Sequence, residues 1–150
     1  MQVGATERKL LTQEIGTLAG MLRDPAARER YAGLRDAVQD GEVPEELLGH
    51  LGNILELGLQ SGRLRALYGA DGEQALTRLF HRTPTGAALQ EEAKSVSHAL
   101  NGLQEQRIEE IRVAALGPGA YGLTIDTDRC QVSVRLDRSG VRVESLAIGI

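Results

Sequence analysis

Histidine and cysteine side chains are the first candidates for chemistry in this chain, because they bind metals and transfer protons near neutral pH. His50, His81 and His98 fall on three different predicted elements, and none belongs to a recognisable metal-ligand motif. Cys130 is the single cysteine. We therefore predict no catalytic residue, no metal site and no cofactor site, and we expect a protein that is not an enzyme.

Adjacent glutamates and short glycine-rich segments do not change this prediction. Glu45-Glu46, Glu91-Glu92 and Glu109-Glu110 are neighbours in sequence, and neighbours on a helix point about 100° apart, so they do not share a site. The glycines of residues 69–72 and 117–119 do not follow a strand and open a helix, as those of a phosphate-binding loop do. We interpret both segments as turns.

The composition is that of a globular protein. Of 150 residues, 41% are apolar and 25% are charged, and no apolar run approaches the ~18 residues of a membrane-spanning helix. A formal net charge of −4 disfavours nonspecific binding to nucleic acid. A lone cysteine suits a reducing compartment. We expect a cytoplasmic protein that does not bind membranes.

The spacing of apolar residues changes near residue 110 from a helical period to strict alternation. Alternation of this kind predicts half-buried antiparallel strands. Short turns at residues 117–119, 128–129 and 138–140 would join four strands as a meander. The alternating residues are Ile111 and Val113; Tyr121, Leu123 and Ile125; Val132, Val134 and Leu136; and Val141 and Val143.

The alternation slips by one residue near the end of the last strand. Val141 and Val143 share one parity, whereas Leu146, Ile148 and Ile150 share the other. A slip turns side chains to the opposite face, so we predict a β-bulge near Glu144-Ser145. Alternatively, residues 146–150 leave the sheet and contact the helical half or a partner subunit.

The preceding residues read as helices. We predict helices over residues 6–23, 25–38 and 44–60, followed by a long helix from Thr83-Pro84 to about Glu110. The fold class is therefore α+β, a helical array with one long helix packed on a four-stranded antiparallel meander. We divide the chain into a helical region, 1–82, and a helix-plus-sheet region, 83–150, within one compact domain.

The long helix carries an apolar stripe with heptad-like spacing, formed by Leu89, Ala93, Val96, Leu100 and Leu103. A stripe of this length can pack on a sheet within the chain or against a second chain. We favour packing on the sheet.

Residues 63–82 are ambiguous between two short helices and a hairpin around residues 69–72, and their Leu, Arg, Ala and Glu content favours helices. The stretch from Ile54 to Glu92 nevertheless resembles the recognition-helix end, wing and dimerisation-helix entry of MarR- or PadR-type winged-helix regulators. The matching residues are Leu57-Gly58-Leu59, Asp71-Gly72 and Thr83-Pro84-Thr85-Gly86. The resemblance implies a DNA-binding transcriptional regulator.

Our principal expectation is a protein-interaction or assembly module that forms a homodimer, with a protein or a second copy as partner. The alternatives are the winged-helix regulator and a small-ligand protein or enzyme with a site between helices and sheet. Arg63, Arg65, Arg78 and Arg82 are the candidate contacts for an acidic partner. The candidate interface residues are Leu89, Val96, Leu100, Leu103, Leu146, Ile148 and Ile150.

Overall fold

A computed structural model describes residues 1–149 and divides into two compact units, Met1–Ala87 and the residues from Ala88 onward. Helices precede strands along the chain, so the predicted α+β class is confirmed. The helices are α1 (Ala5–Met21), α2 (Pro25–Asp40), a short 3₁₀ helix (Glu45–Leu47), α3 (Leu48–Gln60), α4 (Arg63–Phe80) and α5 (Pro84–Asn101). The strands are β1 (Ile108–Gly117), β2 (Ala120–Thr127), β3 (Cys130–Asp137) and β4 (Gly140–Ile148).

The ends of α2 follow from local capping chemistry. The Asp24 carboxylate accepts hydrogen bonds from the backbone N–H groups of Ala26 and Ala27, at 3.3 and 3.2 Å. Gly41 ends the helix in the left-handed region (φ 86°), which costs glycine little because it has no Cβ. The predicted start at Pro25 is confirmed, and the helix extends two residues past Val38.

The first unit is built around an apolar core shared by four helices. The apolar stripes of α1 and α3 that the sequence predicts supply much of it. Its fully buried leucine, isoleucine and valine side chains come from every helix from α1 to α4: Leu11, Ile15, Leu34, Val38, Leu51, Leu55, Leu64 and Leu76.

Residues 63–80 are helical, so the hairpin alternative and the wing implied by the winged-helix resemblance are wrong. Gly69 interrupts the helix with non-helical backbone angles (φ 71°, ψ −176°), which leaves two helical segments close to those predicted. Leu64 precedes this kink and Leu76 follows it, and both side chains are buried in the core. Strands are typically rich in β-branched residues, and Thr77 is the single one in this segment.

The helix α5 begins as predicted and ends earlier than predicted. The buried Thr83 hydroxyl donates to the Phe80 carbonyl (2.6 Å) and accepts from the Gly86 N–H (3.2 Å). The helix stops at Asn101 instead of continuing to Glu110, because residues 108–110 join the sheet. The Asp128 carboxylate secures this entry by accepting a hydrogen bond from the Arg107 N–H (3.0 Å).

The four strands form an antiparallel meander in the order β1-β2-β3-β4. The predicted bulge is confirmed: Ser133 pairs with Ser145 and Val134 with Val143, so Glu144 is the extra residue. β4 continues to Ile148, and the alternative in which the segment leaves the sheet is therefore wrong up to that residue. Ile150 lies outside the described residues.

Candidate protein-docking surfaces

Most of the large apolar side chains of the four strands lie on one face of the sheet. Directly paired residues of antiparallel strands point to the same side. The bulge at Glu144 restores the face after the slip, because it returns Leu146 to the side of Val132. The resulting cross-strand rows are Ile111, Ile125, Val132 and Leu146; Val113, Leu123, Val134 and Val143; and Ala115, Tyr121, Leu136 and Val141.

Helix α5 covers this face unevenly. Val96 of α5 packs on Val132 and Val134 of β3, which are buried, and Leu100 and Leu103 pack on the same cluster. The heptad-like stripe is therefore used within the chain, as we favoured. On β1, by contrast, all ten residues are exposed; Ile111 is 55% and Val113 70% exposed.

The uncovered apolar strip consists of Ile111 and Val113 on β1 and Tyr121 on β2, with Tyr121 50% exposed. Ile125 and Leu123, which pair with Ile111 and Val113, are partly buried and separate this strip from the core under α5. Contiguous exposed apolar surface of this kind is typical of binding sites. The strip defines the first candidate docking surface.

The two edges of the sheet differ in regularity. β4 is broken in its middle by the bulge at Glu144. The register shifts of β1 lie at its ends, between Ile108 and Glu110 and between Ala115 and Gly117, so residues 110–115 form an unbroken run. The outer edge of β1 has no partner strand within residues 1–149. Open edges without bulges are templates for pairing with another strand.

The opposite, polar face of the sheet satisfies its own charges. Arg112 of β1 pairs with Asp126 of β2 at 3.0 Å, and the hydroxyls of Thr124 and Ser133 lie 3.4 Å apart across β2 and β3. Gln131 of β3 donates an amide hydrogen bond to Asp126. This arrangement is typical of a solvated face. Its polar groups are already paired with one another, so the apolar strip is the better candidate docking surface.

A cluster at the β3–β4 turn stabilises the hairpin. Asp137 accepts hydrogen bonds from the Ser139 hydroxyl and backbone, and from Arg135 (3.0 Å) and Arg142 (3.1 Å). The Ser139 hydrogen bond and the two guanidinium groups hold the pKa of Asp137 well below its usual range. The carboxylate stays ionised and is suited to a structural role in the turn.

The predicted interface residues at the end of β4 border a second surface. Leu146 and Ile148 are exposed, and with Leu103 and Cys130 they line a groove of about 330 Å³ between the end of α5 and β4. The Cys130 thiol lies 3.3 Å from the Gln106 side-chain oxygen. Leu89, also predicted at the interface, is partly buried near Gly140.

The first unit has its own groove, of about 280 Å³, between α1 and α3. Exposed Met21 and Leu57 lie along it, and Glu14 and Arg63 stand at its wall. Glu14 is 7% exposed; its carboxylate accepts hydrogen bonds from the Tyr68 hydroxyl (2.7 Å) and the Arg63 Nε (3.1 Å). Because the carboxylate is paired with a guanidinium, the groove wall carries no uncompensated charge.

Glu14 shifts the pKa values of both side chains that hydrogen-bond to it, Tyr68 and Arg63. Burial, together with the hydrogen bond to and the charge of Glu14, raises the pKa of Tyr68 to about 12. The same carboxylate raises the pKa of Arg63. Sequence reasoning missed this contact, although a signal was present: Glu14 interrupts the apolar stripe of α1 between Leu11 and Ile15. A charged residue within such a stripe indicates a buried partner.

The four arginines predicted to contact an acidic partner are all exposed. Arg63 pairs with Glu14, and Arg65 lies 3.5 Å from Glu73. Arg63 and Arg65 lie in the first turn of α4, whereas Arg78 lies in its last turn and Arg82 follows it. The contact with an acidic partner stays a prediction, and two of its four residues already have carboxylate partners.

The histidines are dispersed. His50 of α3 stands edge-on to Tyr31 with ring centroids 5.7 Å apart, His81 follows α4 beside Phe80, and His98 lies in the last turn of α5. Among residues 1–149, no three His, Cys, Asp or Glu side chains are grouped so that they could hold a metal ion.

Comparison with protein-family models, curated proteins and solved structures gives no match to this chain. In the part of the chain that the structure describes, no helix combines the length and apolar character needed to cross a bilayer.

Proposed function

We propose that this protein is an interaction or assembly module that binds a protein partner at β1 and on the uncovered apolar strip of its sheet. The single observation that carries the proposal is the exposure of all ten residues of β1, on an edge whose central run is regular. The proposal keeps the cytoplasmic location expected from the sequence, where Cys130 would stay reduced.

Two contributions to the binding free energy favour a partner at β1, backbone hydrogen bonding and the burial of apolar side chains. The unpaired N–H and C=O groups of an edge strand accept an added strand, which is a common mode of peptide recognition. Ile111 and Val113 stand beside that edge, and full burial of such a side chain contributes about 1.5–3 kcal/mol. A partner that supplies both a strand and apolar side chains would gain both contributions.

The test is site-specific photocrosslinking in the cells that produce the protein. A photoreactive benzoyl-phenylalanine at position 113 should give a protein adduct of defined mass, and Ile111→Lys in the same chain should abolish it. The matched control carries the probe at position 138, in the exposed β3–β4 turn. Equal labelling from positions 113 and 138, or no adduct at either, would remove the basis of the proposal.

A further inference from the structure

We infer, on the basis of the function proposed above, that the partner at β1 is a second copy of this chain. The two β1 strands would pair antiparallel about a two-fold axis near Val113 and join two four-stranded sheets into one. An antiparallel strand is its own complement, since a two-fold axis matches each unpaired N–H with a C=O of the other copy. No second sequence is required.

The choice of β1 over β4 follows from the bulges. A bulge twists an edge and interrupts its hydrogen-bonding pattern, which is a usual protection against pairing. β4 carries its bulge at Glu144, in mid-strand, and both the bulge residue and nearby Arg142 are charged. β1 keeps its irregularities at its ends and carries a single Glu and a single Arg within residues 110–115. Neither proline nor lysine blocks that run.

The position of the axis follows from charge and strand length. A two-fold axis between antiparallel strands is perpendicular to the sheet, so a residue on the axis faces its own copy. An axis at Glu110 or Arg112 would oppose like charges, which is destabilising. An axis at Ile111 pairs only residues 110–112 within the regular run, and an axis at Ala114 only residues 113–115. An axis at Val113 pairs residues 111–115 with 115–111 and opposes no like charges.

Side-chain chemistry agrees with this register. The perpendicular axis puts both apolar faces on the same side, where Val113 meets Val113 and Ile111 meets Ala115. On the polar side Arg112 meets Ala114, so it keeps its 3.0 Å contact with Asp126 of its own chain. The pairing thus covers the two most apolar exposed side chains in the middle of β1 without burying an unpaired charge.

The size of this interface sets its expected strength. Standard stable interfaces use roughly 20–30 residues from each partner, whereas an edge of this length supplies far fewer. We therefore expect a concentration-dependent dimer. Sedimentation velocity of the full chain from about 1 μM to about 1 mM, a range chosen to span weak association, should show the dimer fraction rising with concentration.

The first variant test uses Val113→Lys, which places a charge on the axis, where it faces its copy. This variant should remain monomeric at concentrations where the wild type is dimeric. Leu57→Lys is the matched control, because Leu57 is similarly exposed (62%) and lies on α3. The control should dimerise like the wild type. A Val113→Lys chain that dimerises like the wild type, or a Leu57→Lys chain that is as monomeric as Val113→Lys, would overturn the inference.

The second test reports the register and does not depend on a destabilising charge. In a Cys130→Ala background, Val113→Cys should form an intermolecular disulfide under mild oxidation, since the two sulfurs meet at the axis. Arg112→Cys, on the other face of the same strand, and Ile111→Cys should cross-link several-fold less. Equal cross-linking at all three positions, or preferential cross-linking at Ile111, would overturn pairing centred on Val113.

Failure of this inference is distinguishable from failure of the proposed function. A chain that is monomeric at every concentration, but whose position-113 photoprobe captures a different protein, overturns the second copy as partner and leaves the docking function standing. A monomeric chain whose photoprobe captures nothing overturns both.

Discussion

Removal of the Tyr68 hydroxyl probes the contact that joins α1 to α4. Tyr68→Phe deletes the 2.7 Å hydrogen bond to Glu14 and preserves the ring. Glu14 then keeps Arg63, whose side chain is 47% exposed, so solvent screens much of that ion pair. The hydroxyl is thus the closest donor to a carboxylate that is 7% exposed.

The expected loss follows from these distances and exposures. A hydrogen bond to a charged group contributes about 1.5–3 kcal/mol. Because Tyr68 is partly exposed, water replaces part of the lost bond, and we expect Tyr68→Phe to lower the free energy of unfolding by about 1–2 kcal/mol. The measurement is urea unfolding followed by far-ultraviolet circular dichroism at pH 7.

A double-mutant cycle separates the hydrogen bond from other effects of the substitution. In a Glu14→Ala background the acceptor is gone, so Tyr68→Phe should cost less than about 0.5 kcal/mol. Tyr31→Phe, which removes a hydroxyl elsewhere in the same unit, is the control. A loss for Tyr68→Phe that is the same with and without Glu14, or below about 0.3 kcal/mol in both backgrounds, would refute the reasoning.

Three further predictions concern titration, close packing and register. Because the folded pKa of Tyr68 is raised to about 12, stability should fall as the pH rises from about 10 to 12, and Tyr68→Phe should lose this dependence in thermal melts. Gly86→Ala should unfold at a clearly lower temperature, because an added Cβ would overlap the Phe80 carbonyl. Gly33→Ala is the control: Gly33 lies in the middle of α2, an added Cβ there has no neighbour within 4 Å, and the substitution should be neutral or stabilising. Deletion of Glu144 removes the extra residue and leaves Val143, Ser145 and Leu146 in strict alternation opposite Val134, Ser133 and Val132; the thermal midpoint should stay the same or rise, and a clearly lower midpoint would contradict the assigned register.

Local chemistry explains the features that could be predicted from sequence. The caps at Asp24, Gly41 and Thr83 each involve groups within a few positions of one another, so the Asp and Thr side chains and the Gly backbone act the same way in any tertiary context. The bulge at Glu144 was predictable because a side-chain period of two cannot slip without an extra residue.

Features that depend on non-local pairing were not predictable in the same way. The helix α5 ends at Asn101, although residues 103–107 have high helix propensity. It ends there because residues 108–110 gain strand partners at Thr127 and Asp126. The Glu14–Tyr68 hydrogen bond spans 54 residues, and sequence shows only that a charge interrupts an apolar stripe.

Periodicity and turn chemistry act over a few residues, so the α+β class, the meander, the bulge and the alternation of apolar residues in each strand could be derived without the structure. Which part of the apolar face is covered could not be derived in this way and is visible in the folded protein alone. Ile111 and Val132 lie in one cross-strand row on the same face of the sheet and have similar side chains, yet Val132 is buried under α5 and Ile111 is exposed. The reason is that one helix is about 10 Å wide and a sheet of four strands spaced about 4.8 Å is wider. Where that helix lies is set by packing between residues far apart in sequence.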